Sequence, residues 1–305
     1  MTIHADFLFS ISSQNELGEG VIWDNLTQTI WWTDIQASTI FQFNVAAREV
    51  VAHDMPERVG CFGFTNFDDV LIVAFASGFG LYNLTTKQIK WLAQPEINIE
   101  GNRFNDGKVD RHGNFWAGTL VEHRKTPEQT GSLYCLDSDF ECHKKLTGIE
   151  ISNSLCFSHR CELLYHGDSQ AHCVYQYHLA CDGQRESNQL TRKKALINTA
   201  QDVFPDGACV DEDGNVWSAQ WGGSQVVCYS PEGEVLLNIP TPVSQPTCVA
   251  FGGPNLDWLI VTSAKESLSA DDLNLQPQAG DVFIYQVKGT KGLVEPRFNL
   301  AQHFS

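Results

Sequence analysis

Arg103-Phe104-Asn105-Asp106-Gly107-Lys108-Val109-Asp110, followed by Gly113-Asn114-Phe115-Trp116-Ala117-Gly118-Thr119, and Pro205-Asp206-Gly207-Ala208-Cys209-Val210-Asp211, followed by Gly214-Asn215-Val216-Trp217-Ser218, are one pattern written twice. Each copy reads Asp-Gly, a short apolar strand, an acidic turn closed by Gly-Asn, and a strand centred on Trp. A repeat of this kind fixes the architecture before any residue is given a role.

Working outward, β-branched or aromatic runs preceded by turns occur at Ile30–Asp34, Val70–Ala74, Phe115–Gly118, Leu163–His166, Val216–Ala219 and Trp258–Thr262. Their spacing, roughly 40 to 53 residues, is that of propeller blades. Each run is followed by another strand (Thr39–Phe43, Gly80–Tyr82, Ser132–Cys135, Cys173–Tyr177, Gln225–Tyr229 and Asp281–Tyr285) and then by turn residues such as Asn83-Leu-Thr-Thr-Lys, Asp182-Gly183 or Pro231-Glu-Gly-Glu. Alternation bounded by such turns marks antiparallel hairpins. The prediction is an all-β, six-bladed β-propeller with four-stranded antiparallel blades around a central channel. A β-sandwich or β-helix would lack this period. No Pro/Ser-rich linker divides the chain, so residues 1–305 are expected to form a single domain. Ala5 to Ser12 has no blade of its own and is expected to close the last one. Ser267 to Gln278 reads as a short helical or irregular excursion.

The chain has 305 residues, a formal net charge of −17 and charged residues at 19%. An acidic surface repels polyanions, which makes nucleic acid and anionic membrane surfaces poor partners. No run approaches the eighteen or so apolar residues of a membrane span. Met1 to Ser10 has neither a basic nor a long apolar region, so no signal peptide is read and a cytoplasmic location is expected. Ten cysteines stand without a Cys-x-x-Cys pair, which sets aside zinc ribbons and thioredoxin-type chemistry. Reduced, buried thiols are expected. The sequons at Asn25 and Asn83 are read as accidental.

In a propeller, the residues that open the innermost strand of each blade sit at the channel mouth. Read in order they are Gly18-Glu19-Gly20, Val59-Gly60-Cys61, Asn105-Asp106-Gly107, Ser152-Asn153-Ser154, Pro205-Asp206-Gly207 and Gln245-Pro246-Thr247. Four of the six offer a carboxylate or carboxamide at the same, central place of the triplet. Oxygen donors converging there favour Ca²⁺, Mg²⁺ or Mn²⁺, and carboxylates also bind Zn²⁺. Without a cation, two carboxylates crowded together repel, and at least one pKa should rise.

Leu17-Gly18-Glu19-Gly20 with Trp23-Asp24, the Arg103–Asp110 run, Gly118-Thr119, Ile151-Ser152-Asn153 and Pro205-Asp206-Gly207 together resemble the SMP-30/gluconolactonase family, which includes regucalcin. The resemblance covers nearly the whole chain, in order, and the Arg103–Asp110 run is its specific part. It implies a six-bladed propeller that binds one divalent metal cation and hydrolyses sugar lactones. Carried over, Glu19, Asn153 and Asp206 become the metal ligands, Asp206 also the general base, and Arg103 and Asn105 contacts to the sugar lactone. The family often has glycine where this chain has Ser154. Counted from Gly118-Thr119, the family's further sugar-contacting glutamate falls on His123, with Glu122 beside it, which implies an altered sugar preference.

Lactone hydrolysis needs a polarised carbonyl, an activated water and an oxyanion stabiliser. The chain has no Gly-x-Ser-x-Gly, which argues against a serine esterase of the α/β-hydrolase type. Plainer readings stand beside each assignment. Glu19 and Asn153 suit turns, and Asp206 suits an Asx-turn. Asp106 is expected to brace a loop, Arg103 suits an ion pair, and His123 suits either a pocket wall or an exposed loop. The eight tryptophans fall mostly in strands and are read as packing. Three functional alternatives accompany the lactonase: a metal-dependent esterase or phosphotriesterase, a calcium-binding regulatory propeller without turnover, and a protein-binding platform.

Overall fold

The structure is a computed structural model that describes residues 3–180 and 189–300. The Asp182-Gly183 turn lies outside the described residues. The class is the one read from the repeat: an all-β, six-bladed β-propeller whose sheets are each four-stranded and antiparallel. Contacts divide the chain into two compact units, one of residues 1–58 with 196–295 and one of residues 59–195 with 296–305.

The first unit holds three blades. Blade one runs Gly18–Asp24, Thr29–Asp34, Thr39–Asn44 and Glu49–Asp54; blade five runs Phe204–Val210, Val216–Trp221, Gln225–Tyr229 and Val235–Pro240. Blade six takes Pro246–Gly252, Trp258–Ser263 and Val282–Lys288, and its fourth strand is the N-terminal His4–Ile11, antiparallel to Val282–Lys288. The Ser267 to Gln278 excursion contains a single short helix, Ala270–Leu275, started by a capping box between Ser269 and Asp272. The second unit holds blades two to four, whose first strands are Val59–Phe64, Asn102–Val109 and Ser152–Phe157.

Burial falls across each blade. Gly18–Asp24, Val59–Phe64, Ser152–Phe157 and Pro246–Gly252 are buried throughout, whereas the fourth strands Glu49–Asp54 and Val235–Pro240 are mostly exposed. The first strands therefore read as continuous buried runs, and exposure belongs to the outer ones. Trp23, Trp32, Trp116 and Trp217 are buried in these cores. Of the nine cysteines among the described residues, all but the partly exposed Cys142 are buried.

The repeated acidic turn is a four-donor clamp. Asp110 accepts from the backbone N–H of His112 (2.8 Å) and Asn114 (3.0 Å), the Asn114 side chain (2.9 Å) and Trp116 Nε1 (2.8 Å). Asp211 repeats this with Asp213 N (3.0 Å), Asn215 N (2.9 Å), Asn215 Nδ2 (2.9 Å) and Trp217 Nε1 (2.9 Å). The tryptophan thus has a polar task besides packing: its N–H ties the second strand to the turn. The Asp-Gly glycines also have a packing task. A Cβ on Gly107 would lie 2.5 Å from Cys61 Sγ, and one on Gly207 would lie 2.6 Å from Cys248 Sγ. Here glycine lets the first strands of neighbouring blades approach.

Candidate functional site

The candidate residues sit inside the first strands, each at a break in the pairing. The ladder to the second strand skips between Glu19 and Ile22, Phe104 and Gly107, Asn153 and Cys156, and Pro205 and Ala208. An extra residue at such a bulge leaves the ladder and re-aims its side chain. By register Asn105-Asp106 and Asp206 lie within the skip, whereas Glu19 and Asn153 share the last paired position before it. Gly20 and Ser154 follow those two with φ of 56° and 55°. Ser154 adopts the left-handed conformation that glycine would take without strain, at a cost of about 1 kcal/mol.

Glu19 and Asn153 are braced alike. Asp34 ends the second strand of blade one and accepts from the backbone N–H of Glu16 (2.8 Å) and Leu17 (3.1 Å). Asp168 ends the second strand of blade four and accepts from Glu150 N (3.0 Å) and Ile151 N (3.1 Å). Each carboxylate pins the chain just before the bulge. Sequence reasoning missed both, though their signal was present: an aspartate closes the second strand in the same register, opposite Gly18 and opposite Ser152.

In the second unit Glu122, Arg103, Asn105 and Asn153 form one hydrogen-bonded row, buried from Arg103 onward, and His123 stands outside it. Arg103 donates through Nε to Glu122 Oε1 (2.9 Å) and through Nη1 to Phe104 O (3.1 Å) and Asn105 Oδ1 (2.8 Å). Asn105 Nδ2 donates to Ser152 O (3.0 Å) and Asn153 Oδ1 (2.9 Å), and Asn153 Nδ2 donates to Ser169 Oγ (2.8 Å). Arg103, Asn105 and Asn153 are 6%, 8% and 5% exposed, so these bonds act in low dielectric, where charge-assisted donors count most. Ser152 Oγ bonds His166 Nε2 at 2.8 Å. Burial, with Lys193 nearby, pushes the His166 pKa down to about 3, so the ring is neutral at ordinary pH.

Asp106 points elsewhere. Its Oδ2 accepts from Leu155 N at 2.8 Å, and burial raises its pKa. It is a brace, as the sequence reading expected, but it ties blade three to blade four where a loop was expected. Glu122 and His123 part company: Glu122 meets Arg103 with its side chain 20% exposed, while the His123 side chain is 75% exposed. The loop beyond them is stapled by Gln129, which donates to Glu100 O (2.9 Å) and Asn102 Oδ1 (2.7 Å) and accepts from Lys125 N (2.7 Å). The adjoining cavity, about 560 Å³ and lined by Glu100, Lys125, Gln129, Ser132 and Lys144 among others, contains none of the site residues.

In the first unit Glu19 and Asp206 are 7% and 6% exposed. Among the described residues no three or more His, Cys, Asp and Glu side chains stand together as a metal site. The expected donor set is of another kind, two carboxylates and one carboxamide. Its chemistry fits a hard cation, because all donors are oxygen and all three side chains are buried. Asn153 Oδ1 accepts one hydrogen bond, from Asn105, which leaves the second lone pair of a carbonyl oxygen for another contact.

A model of the SMP-30/gluconolactonase/LRE-like region matches residues 17–265. The chain is 37% identical to 6-deoxy-6-sulfogluconolactonase of Pseudomonas putida over 282 residues, 92% of this chain and 94% of the relative. It is 33% identical to L-arabinolactonase of Azospirillum brasilense over 288 residues, 94% and 93% of the two chains. Among solved structures, a calcium-binding protein, regucalcin, from Agrobacterium tumefaciens superposes with a TM-score of 0.88 at 28% identity, covering 96% of this chain and 98% of the other.

Proposed function

The chain belongs to the SMP-30/gluconolactonase family, and from that premise we propose that it hydrolyses sugar lactones, with a divalent cation held by Glu19, Asn153 and Asp206. The observation that carries the reading is the hydrogen-bonded row Glu122–Arg103–Asn105–Asn153. Such a row offers fixed donors and acceptors of the kind that sugar hydroxyls require, and it joins residues expected for substrate to a residue expected for the cation. The named activities of the 37% and 33% identical relatives support a sugar lactone as substrate class.

When bound, a divalent cation would polarise the lactone carbonyl and lower the pKa of a water molecule. Asp206 serves as general base: it takes a proton from the attacking water, whose oxygen bonds to the carbonyl carbon. The ring C–O bond then breaks, and the proton passes to the departing ring oxygen, giving the open hydroxy acid. Arg103 is donor-only and permanently charged, so it orients substrate oxygens and steadies the developing oxyanion. Asn105 completes the polar floor. Glu122 fixes the guanidinium, and His123, beside it at the exposed rim, touches only the outer part of a substrate.

A panel of aldonolactones assayed with purified protein, with EDTA and metal add-back, tests this. Turnover lost with chelator and restored by Ca²⁺, Zn²⁺, Mg²⁺ or Mn²⁺ is expected. One specific observation favours a second reading: the calcium-binding relative of TM-score 0.88. Tight Ca²⁺ binding without turnover on any lactone or other ester would select that calcium-binding role and sink the enzymatic one.

A further inference from the structure

We propose that Ser169 is a positioning residue that holds the Asn153 carboxamide in the direction its neighbour Asn105 dictates, and so sets the affinity for the cation; this rests on the reading of Asn153 as a ligand. An amide side chain is nearly symmetric in shape, and its direction is set by its partners. Here the direction is forced along a row. Arg103 has only donors, so the Asn105 atom facing Nη1 at 2.8 Å is Oδ1. On the other side Asn105 meets the carbonyl of Ser152, which only accepts, at 3.0 Å. Asn105 is thus held between a donor-only and an acceptor-only group, and its Nδ2 also reaches Asn153. The Asn153 atom that receives it at 2.9 Å is Oδ1, and Nδ2 is left pointing at Ser169 Oγ, 2.8 Å away.

Ser169 is built for this task. It is 4% exposed and opens a single 3₁₀ turn, Ser169–Ala171. Its backbone N–H donates to Ile151 O at 3.1 Å, and the preceding Asp168 holds the N–H groups of Glu150 and Ile151. The hydroxyl is therefore tethered to the segment that delivers Asn153. Without an acceptor at this place the buried Nδ2 loses its partner, an unfavourable state. The carboxamide is then held by the Asn105 bond alone, and its terminal torsion is soft.

The test is a Ca²⁺ titration of the whole chain by isothermal calorimetry, repeated with Zn²⁺, on wild type, Asn153→Ala, Ser169→Ala and Ser169→Thr. Ser169→Ala is expected to raise Kd by about five- to tenfold, the worth of one hydrogen bond. Ser169→Thr keeps the hydroxyl and is expected to stay within about twofold of wild type. The decisive comparison uses Asn153→Asp, where both ends are oxygen and direction carries no meaning. Adding Ser169→Ala to that background is expected to leave Kd within about twofold, whereas a general loosening of the site would weaken binding in both backgrounds. If Ser169→Ala does not fold, Ser169→Cys, whose thiol is a weak acceptor, takes its place. A Kd unchanged by Ser169→Ala while Asn153→Ala weakens binding overturns the positioning role alone. Wild type that binds neither cation, or an Asn153→Ala that binds like wild type, overturns the ligand reading and this inference with it.

Discussion

Arg103 Nε and Glu122 Oε1 stand 2.9 Å apart, the arginine side chain 7% and the glutamate 20% exposed. His123, the next residue, has a side chain 75% exposed and approaches the other Glu122 oxygen only to 3.9 Å. The two neighbours therefore have opposite stakes. Glu122→Ala leaves a buried guanidinium short of its counter-charge, a change that costs about 3 kcal/mol or more. His123→Ala should shift stability by no more than about 0.5 kcal/mol. Urea unfolding of both variants checks this, with KM on a turned-over lactone as the second measurement. Glu122→Ala should raise KM by disordering Arg103. A larger loss from His123→Ala on either scale would reverse the assignment.

Asp206 lies buried at the blade-five bulge, between Pro205 and Gly207. As general base and ligand it has no substitute, so Asp206→Ala should remove turnover, by at least the ~10²–10⁴-fold that general-base catalysis supplies. Its place at a bulge, outside the ladder, predicts an unfolding transition as cooperative as that of wild type. The pair of measurements is kcat and a thermal melt. Appreciable residual kcat in a folded variant would exclude Asp206 as the base.

The bulged segments that carry the candidate residues were legible wherever position follows from the repeat. The Asp-Gly copies mark the bulges of blades three and five, and Glu19 and Asn153 adjoin the bulges that counting finds in blades one and four. What the repeat does not carry is the partner on a neighbouring strand. Asp34, Asp168 and Ser169 act on residues 16 to 18 positions away through strand pairing, and register emerges only once the bulges are known. The Glu122–His123 ambiguity has a similar cause. The second strand of blade three ends at Val121, and the backbone N–H groups of Glu122 and His123 both donate to Gly101 O, at 2.8 and 3.0 Å. Both amides turn to one carbonyl, so strand alternation stops and counting no longer tells which side chain faces inward. The packing task of the Asp-Gly glycines is hidden for a related reason: the sulfur atoms against them belong to Cys61 and Cys248, on other blades.

The duplicated turn clamp gives a stability test independent of function. Asp211 is fully buried and gathers four donors, among them Trp217 Nε1. Asp211→Ala orphans several buried N–H groups at about 1–3 kcal/mol each, so a total loss above about 3 kcal/mol is expected. Asp110→Ala should match it within about 1 kcal/mol, since its clamp is the same. Asp137 makes the plainer version in blade three, holding Asp139 N and Glu141 N at an exposed turn, where water replaces a lost acceptor. Asp137→Ala should therefore cost only about 1 kcal/mol. Equal losses at Asp137 and Asp211 in guanidinium melts would deny the clamp its role.

His166 gives the molecule an acid limb that can be assigned to one side chain. Burial, then Lys193, lowers its pKa from 6.5 to about 3 in the folded protein. The unfolded chain takes up this proton below pH 6.5, while the folded chain refuses it until about pH 3. The unfolded state thus binds more protons throughout that window, and folding stability contributed by the neutral ring falls as pH falls through it. The slope is at most about 1.4 kcal/mol per pH unit for one proton. His166→Gln keeps a hydrogen-bonding group for Ser152 Oγ and cannot titrate. Its stability should decline less steeply on acidification below pH 6.5 than that of wild type, because the carboxylates that titrate lower in the window are common to both and cancel. Parallel stability profiles for the two proteins between pH 6.5 and pH 4, measured by urea unfolding, would show that the buried imidazole is not what the acid attacks.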